Sequence, residues 1–249
     1  MSLSINLNKI ALIRNSRDGN YPDIEAFAKM AIDAGVQGLT VHPRPDQRHI
    51  RPGDVDLLSA LASPLSSVEF NVEGNPFAQA QGSYPGFMDI VIQNQPDQCT
   101  LVPDSNQQKT SDHGFNLHQD FARLQPIVEK LKSHGIRVSL FMDPDPEQIT
   151  LVHKLGADRI ELYTGPFAQA YQEDKALAED IFAEHCLAAN TALDLGLGIN
   201  AGHDLNLDNM QLYKTLPGLQ EVSIGHALTV DALLIGFDTA VKEYLRVCH

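Results

Sequence analysis

One pattern of apolar and polar positions recurs four times along the chain. A helix-like stretch closes at a glycine, two or so residues pass, and a short β-branched or apolar run ends at a polar residue. The copies run from Gly35 to His42, Gly135 to Asp143, Gly156 to Gly165 and Gly196 to His203. Glycine closes a helix C-terminus readily, and an unbroken apolar run suits a strand buried on both faces of a parallel sheet. Four further runs read as strands: Ser4–Asn8, Val68–Val72, Cys99–Val102 and Glu221–Ile224.

Helical stretches separate most of these strands. Asp23 is placed to cap IEAFAKMAIDA, and Arg51 to Ala62 carries a second helix. Gln119 to Ser133 gathers Phe121, Leu124, Ile127, Val128 and Leu131 on one face. Pro146 opens EQITLVHKL, Lys175 to Leu195 forms a longer helix, and Leu228 to Val247 reads as one helix that ends the chain. Asn75 to Gln95, rich in glycine and proline, reads as a long loop with a short helix.

Alternating strands and helices imply βαβ units and a parallel sheet. Eight strand candidates point to closure into a single-domain (β/α)8 TIM barrel, and 249 residues is an ordinary length for one. The competing fold, an open doubly wound sheet, would show a glycine-rich first turn. Here Asn8-Lys9-Ile10-Ala11 follows the first strand, with no GxGxxG or GxxxxGKS, against a dinucleotide or nucleoside-triphosphate site.

Composition narrows the function. Hydrophobic residues make up 43% and charged residues 20%, as in a globular protein with a sizeable core. No apolar run reaches the roughly 18 residues of a membrane span. The N-terminus lacks the features of a signal peptide, so a cytoplasmic location is expected. Cys99, Cys186 and Cys248 are widely spaced and predict no disulfide framework or zinc site. A net charge of −14 disfavours nucleic acid as a partner. Small phosphorylated substrates remain open, because anion sites are built locally from backbone N–H groups and a few basic side chains.

In such barrels chemistry gathers at the carboxyl ends of the strands. Those ends carry Asn6, Asn8 and Lys9; His42 with Arg44 and His49; Asn71 and Glu73; Thr110 and Ser111; Asp143; Glu161; Asn200 and His203; and Gly225 with His226. Histidine titrates near neutrality and a buried glutamate can be raised toward it, which suits acid–base chemistry. A lone histidine at a strand end is as a rule a hydrogen-bonded structural residue; the recurrence at equivalent ends carries the argument. His42, Glu161 and His203 lack the HxH or HExxH spacing of a metal site, and no metal is expected. His118, His134, His153, His185 and His249 fall on helices or the terminus and read as structural. The glycine turns NAGHD and SIGHA after the seventh and eighth strands suit phosphate.

The segments NLNKIALIRNSR, GLTVHPRPDQRHI, FNVEGN, LVPD, RVSLFMDPDPEQI, IELYTG, INAGHDLN and SIGHA, in that order from Asn6 to about Ala227, resemble the motifs of the pyridoxine 5'-phosphate synthase family. The resemblance implies condensation of 1-deoxy-D-xylulose 5-phosphate with 3-amino-2-oxopropyl phosphate. Inorganic phosphate and water are released, without metal or organic cofactor, by a homo-oligomer (an octamer in the family). It assigns proton acceptance to His42 and Glu73, proton donation to His203 and transition-state charge to Glu161. Arg44, His49 and Thr110 would hold the deoxyxylulose phosphate. Asn6, Arg17, Gly225 and His226 would hold the amino-ketone phosphate.

The sequence departs from the family at three of these places. The family reads N-x-D-H-I at the first strand, where this chain has Asn8 and Lys9; both positions contact deoxyxylulose phosphate. It has glycine after the histidine, where this chain has Asp204, whose backbone N–H could still serve phosphate. The segment after Glu73 is also longer. Two other readings stay open: a lyase or isomerase on another sugar phosphate, with Lys9 as a Schiff-base former, and a non-catalytic barrel that binds phosphate esters.

Overall fold

A computed structural model describes residues 1–249. The elements, in chain order, are β1 (Ser2–Asn6), α1 (Asn8–Arg14), α2 (Ile24–Ala34), β2 (Gly38–Val41), α3 (Pro52–Ala62), β3 (Glu69–Gly74) and α4 (Phe87–Asn94). There follow β4 (Gln98–Leu101), α5 (Leu117–Ser133), β5 (Arg137–Met142), α6 (Pro146–Leu155), β6 (Arg159–Tyr163), α7 (Gly165–Glu173) and α8 (Lys175–Asp194). The chain ends with β7 (Gly198–Gly202), α9 (Met210–Tyr213), β8 (Leu219–Ile224), α10 (His226–Ile235) and α11 (Phe237–Cys248). The strands pair in parallel in sequence order, and β8 closes onto β1, which is the (β/α)8 TIM barrel expected.

The repeat behaves as its chemistry dictates. Gly35, Gly135, Gly156 and Gly196 stand at φ 102°, 76°, 87° and 75°, left-handed backbone that a side chain would strain. Asp23 caps α2 by accepting the Glu25 N–H at 3.0 Å. The segment from Asn75 to Gln95 is a loop followed by α4, as read.

Other expectations need correction. The first strand lies two residues earlier than Ser4–Asn8 and ends at Asn6. Asn6 Oδ1 accepts the Asn8 N–H at 3.0 Å, and this local turn starts α1 where the strand was expected to continue. Asn8 and Lys9 therefore sit on a helix. The single C-terminal helix is two, because Gly236 at φ 85° breaks it between α10 and α11. Helices α7 and α9 were also not anticipated.

Successive residues of a strand point to opposite faces, and the two faces differ in kind. The outward residues, such as Leu3, Ile5, Leu39, Val72, Leu140 and Ile160, are buried under the helices and form one apolar core. The inward residues are mostly polar and equally buried: Ser4, Thr40, Asn71, Gln98, Thr100, Glu161, Asn200 and Glu221. Barrels of this class usually fill the interior with branched aliphatic side chains. Here hydrogen bonds do it. Asn200 Nδ2 reaches Gln98 Oε1 across the barrel at 3.4 Å, and Arg137 Nε donates to the same oxygen at 3.0 Å. Thr100 Oγ1 donates to Asn71 Oδ1 at 3.1 Å, and Ser4 and Thr40 share a hydroxyl contact of 2.8 Å. Buried groups of this kind need partners, and these bonds link the lining into a network that leaves the inward Ser139 Oγ unpaired.

Candidate active site

The strand ends open into a cavity of about 360 Å³ at the carboxyl face. Every residue given a role from the family resemblance lines it except Arg17: Asn6, Asn8, Lys9, His42, Arg44, His49, Glu73, Thr110, Glu161, His203, Asp204, Gly225 and His226. Of the other strand-end residues Ser111 lines it, while Asn71, Asp143 and Asn200 do not. Arg17 lies exposed after α1, and its guanidinium donates to Ser16 O at 3.0 Å, so this chain does not bring it to the cavity.

On one wall, titratable groups approach one another in series. Glu73 Oε2 is 3.8 Å from His42 Nδ1, and His42 Nε2 is 3.1 Å from Asp104 Oδ2. That last approach is too poorly aligned to satisfy Nε2, which has no hydrogen-bond partner. Asp104 also pairs with Arg44 Nη2. His42, Arg44, Glu73 and Asp104 are all buried. Burial alone would raise the Asp104 carboxyl, but His42 and Arg44 outweigh it and hold the group below its ordinary value. Asp104 was not assigned a role from the sequence. The available signal was its place at the end of the LVPD run, directly beyond β4.

The carboxyls farther in behave in the opposite way. Burial raises Glu161 to about 8, with Glu221 adding like charge while the Thr100 hydroxyl opposes. Glu73 is raised well above the carboxylate range, first by burial and then by Glu161, Glu221 and Asp104. Glu221, deeper in the barrel, is raised to about 7, chiefly by burial. A carboxyl whose proton equilibrium lies near neutrality can accept or give a proton at working pH.

Arg44 Nη1 donates to the carbonyls of Ser105 at 3.1 Å and Gln108 at 3.0 Å. Arg48, paired with Asp46, donates to Gln108 O at 2.8 Å and Asn106 O at 2.7 Å. The two arginines thus draw the loop after β4 over the cavity and bring Thr110 Oγ1 to 2.8 Å from His203 Nε2. His49 is lowered to about 3, mainly by burial and then by His42, Arg44 and Arg48. Its Nδ1 accepts the Ile50 N–H at 2.9 Å, so the neutral ring carries its proton on Nε2 as a donor. A further residue missed in the sequence, Arg14, is buried on α1. It pairs with Asp54 at 2.6 Å and donates to His49 O at 3.2 Å, anchoring the His49 segment.

The first strand and helix supply Asn6, Asn8 and Lys9. Asn8 Oδ1 accepts the His42 N–H at 2.9 Å, which ties the start of α1 to the end of β2. Opposite, β8 approaches β1 so closely that a Cβ on Gly225 would lie 2.9 Å from the Asn6 Cβ. Only glycine permits that approach, and it leaves the first N–H groups of α10 facing the cavity mouth, where an anion is favoured. Gly202 likewise makes room for the Glu161 carboxyl. The Asp204 carboxylate also lines this cavity and pairs with His203 Nδ1 at 2.8 Å.

Residues 3–249 match the family described as "Pyridoxal phosphate biosynthesis protein PdxJ". A relative from Xanthomonas axonopodis pv. citri (strain 306), named pyridoxine 5'-phosphate synthase, is 51% identical; the alignment covers 98% of this chain and 95% of the relative. A relative of the same name from Xylella fastidiosa (strain M23) is 46% identical over 98% of this chain and 94% of its own. Among solved structures, a mutant tryptophan synthase alpha-subunit from Pyrococcus furiosus superposes with a TM-score of 0.62 at 12% identity, covering 99% of this chain and 97% of that one. A 4-hydroxy-2-oxoglutarate aldolase gives 0.61 at 12%, covering 99% and 94%. These two similarities concern the fold alone.

Proposed function

The chain belongs to the PdxJ family of pyridoxal phosphate biosynthesis proteins, and we propose that its cavity makes pyridoxine 5'-phosphate by condensing 1-deoxy-D-xylulose 5-phosphate with 3-amino-2-oxopropyl phosphate, releasing inorganic phosphate and water. The observation that carries this is one cavity in which raised carboxyls lie beneath basic groups and glycine turns.

Imine formation, dehydration and loss of phosphate are successive proton transfers. Glu73 and His42 accept protons, His203 donates one, and Glu161 balances the charge that develops. An iminium passing over Glu73 and Glu161 supplies the counter-charge that burial withholds from them, so these carboxyls ionise as positive charge arrives. The His49 Nε2–H, Thr110 and Arg44 hold the deoxyxylulose phosphate. Asn6, Gly225 and His226 hold the amino-ketone phosphate. Lys9, with Asn8 beside it, adds positive charge at the mouth. Positioned acids and bases of this kind contribute about 10²–10⁴-fold each.

A homo-oligomer is part of this reading. Leu12 and Ile13 on α1 and Val230, Leu233 and Leu234 on α10 are exposed apolar side chains that association would cover. The three free cysteines suit a reducing setting, the cytoplasm. The test is to incubate the purified protein with both substrates and follow the pyridine absorbance and free phosphate. Stoichiometric appearance of both is expected; neither appearing at high protein concentration overturns the reading.

A further inference from the structure

The turn after β7 holds two adjacent non-glycine residues in left-handed backbone, His203 at φ 93° and Asp204 at φ 59°. Side chains disfavour that region, and such strain survives only where the surroundings impose it. They do so here. Thr164 Oγ1 donates to Gly202 O at 2.9 Å and also to His203 O, and Asn209 Nδ2 donates to Asp204 O at 3.1 Å. The result is a fixed aim for the His203 ring. Its Nδ1 lies 2.8 Å from Asp204 Oδ2, its Nε2 lies 2.8 Å from Thr110 Oγ1, and its face meets the Tyr163 ring edge-on at 5.1 Å.

We propose that Asp204 is a positioning residue that holds His203 as the Nδ1–H tautomer, so that the proton His203 transfers is the one on Nε2, facing the cavity. The inference rests on the reading of His203 as proton donor. An ionised carboxylate only accepts hydrogen bonds, so Nδ1 must keep its proton while the pair is intact. The transfer then balances simply. Protonated His203 gives the Nε2 proton to the departing oxygen, the N–H electron pair stays on Nε2, and Nδ1–H remains on Asp204. Thr110, whose hydroxyl can donate or accept, matches Nε2 in either state.

Asp204 is equipped to stay ionised. The hydrogen bond from His203 comes first, burial opposes it, and the charges of His203, His226 and Lys9 add to it, holding the carboxyl below its ordinary value. The pair is partly open, with side-chain exposures of 17% for His203 and 48% for Asp204. Solvent therefore screens the charge, and the effect runs through hydrogen-bond geometry more than through field.

Two substitutions test this. Asp204→Gly removes the carboxylate and relaxes the backbone at that φ, so folding is not at risk. Asp204→Asn keeps an acceptor without the charge. In ¹⁵N-histidine NMR, with the His203 signal assigned by its loss in His203→Asn, the unmodified protein should show the Nδ1–H tautomer and Asp204→Gly a mixture. In turnover, Asp204→Gly should lose about tenfold or more in kcat with both KM values nearly unchanged, and Asp204→Asn should recover most of it. A role in shaping the phosphate site would move KM instead. An unchanged tautomer, or an unchanged kcat, in Asp204→Gly overturns the proposal. If the unmodified protein makes no pyridine product, the functional reading falls, and the NMR comparison still decides the pairing.

Discussion

Inside the barrel, Glu73, Glu161 and Glu221 sit among hydroxyls and amides, with no arginine or lysine paired to Glu73 or Glu161 and the His42 ring no nearer to Glu73 than 3.8 Å, and burial pushes all three upward. At the rim, Asp104 and Asp204 lie against His42, Arg44, His203 and Lys9, and both are held low. The same functional group is a proton store in one place and a fixed negative charge in the other. What differs is the neighbour: a carboxyl that loses water without gaining a cation keeps its proton, and one that gains a cation surrenders it. The interior can therefore exchange protons with a substrate, while the rim orients the groups that do so.

The largest effect expected from breaking this contrast is at Glu73. Glu73→Gln keeps the shape and hydrogen bonds of the protonated acid but cannot accept a proton. The kcat for pyridine formation should fall by about 10²–10⁴-fold while the thermal midpoint stays close to that of the unmodified protein. A change of less than threefold, roughly the scatter of such comparisons, would remove Glu73 from the mechanism.

Next comes Asp104. Asp104→Ala leaves Arg44 buried without its carboxylate, which should cost about 3–5 kcal/mol in urea unfolding. A loss below about 1 kcal/mol, the usual worth of an exposed pair, would mean that Arg44 finds another partner at no cost.

The interior carboxyls should also make stability depend on pH. Their folded values, about 8 for Glu161 and about 7 for Glu221, lie above the unfolded value. Between the unfolded value near 4.3 and these folded values, the native state binds more protons than the unfolded chain. By linkage the unfolding free energy contributed by this pair should fall as pH rises through that window and level off above it. Urea midpoints from pH 5 to 9 should show this decline, and Glu221→Gln should flatten it below about pH 7. A decline of equal steepness in Glu221→Gln would assign the slope to other groups.

The smallest effect is at Arg48, whose ion pair with Asp46 is partly exposed. Arg48→Met should change global stability by less than about 1 kcal/mol. It should nonetheless speed proteolysis between Ser105 and Thr110, because the Asn106 and Lys109 carbonyls lose their donor and Gln108 O keeps only Arg44. An unchanged cleavage rate would show that Arg44 alone closes the loop.

The barrel and most of its mouth could be read in the sequence because both depend on local pattern. Glycine after a helix, an apolar run and then a polar residue recur at fixed places, and the motifs around His42, His203 and His226 are contiguous. The first strand was misplaced because Ser4–Asn8 alternates much as Ser2–Asn6 does, and a single Asn6 side chain decides where the helix begins. Arg17 sits in a motif that pointed to the cavity, yet it lies on the outside of the chain's own barrel. Asp104 was passed over because one aspartate after a strand carries no distinguishing spacing.

Sequence alone settled the order of the strands, the fold and the residue types at each strand end, since these follow from periodicity of two and 3.6 residues and from glycine's freedom at positive φ. Tertiary structure alone decided which carboxyls keep their protons, that Asp104 joins His42 to Arg44, and that Asp204 pairs with His203. Proton affinity depends on desolvation and on charges a few ångströms away, and those neighbours come from strands far apart in the chain, which only closure of the barrel brings together.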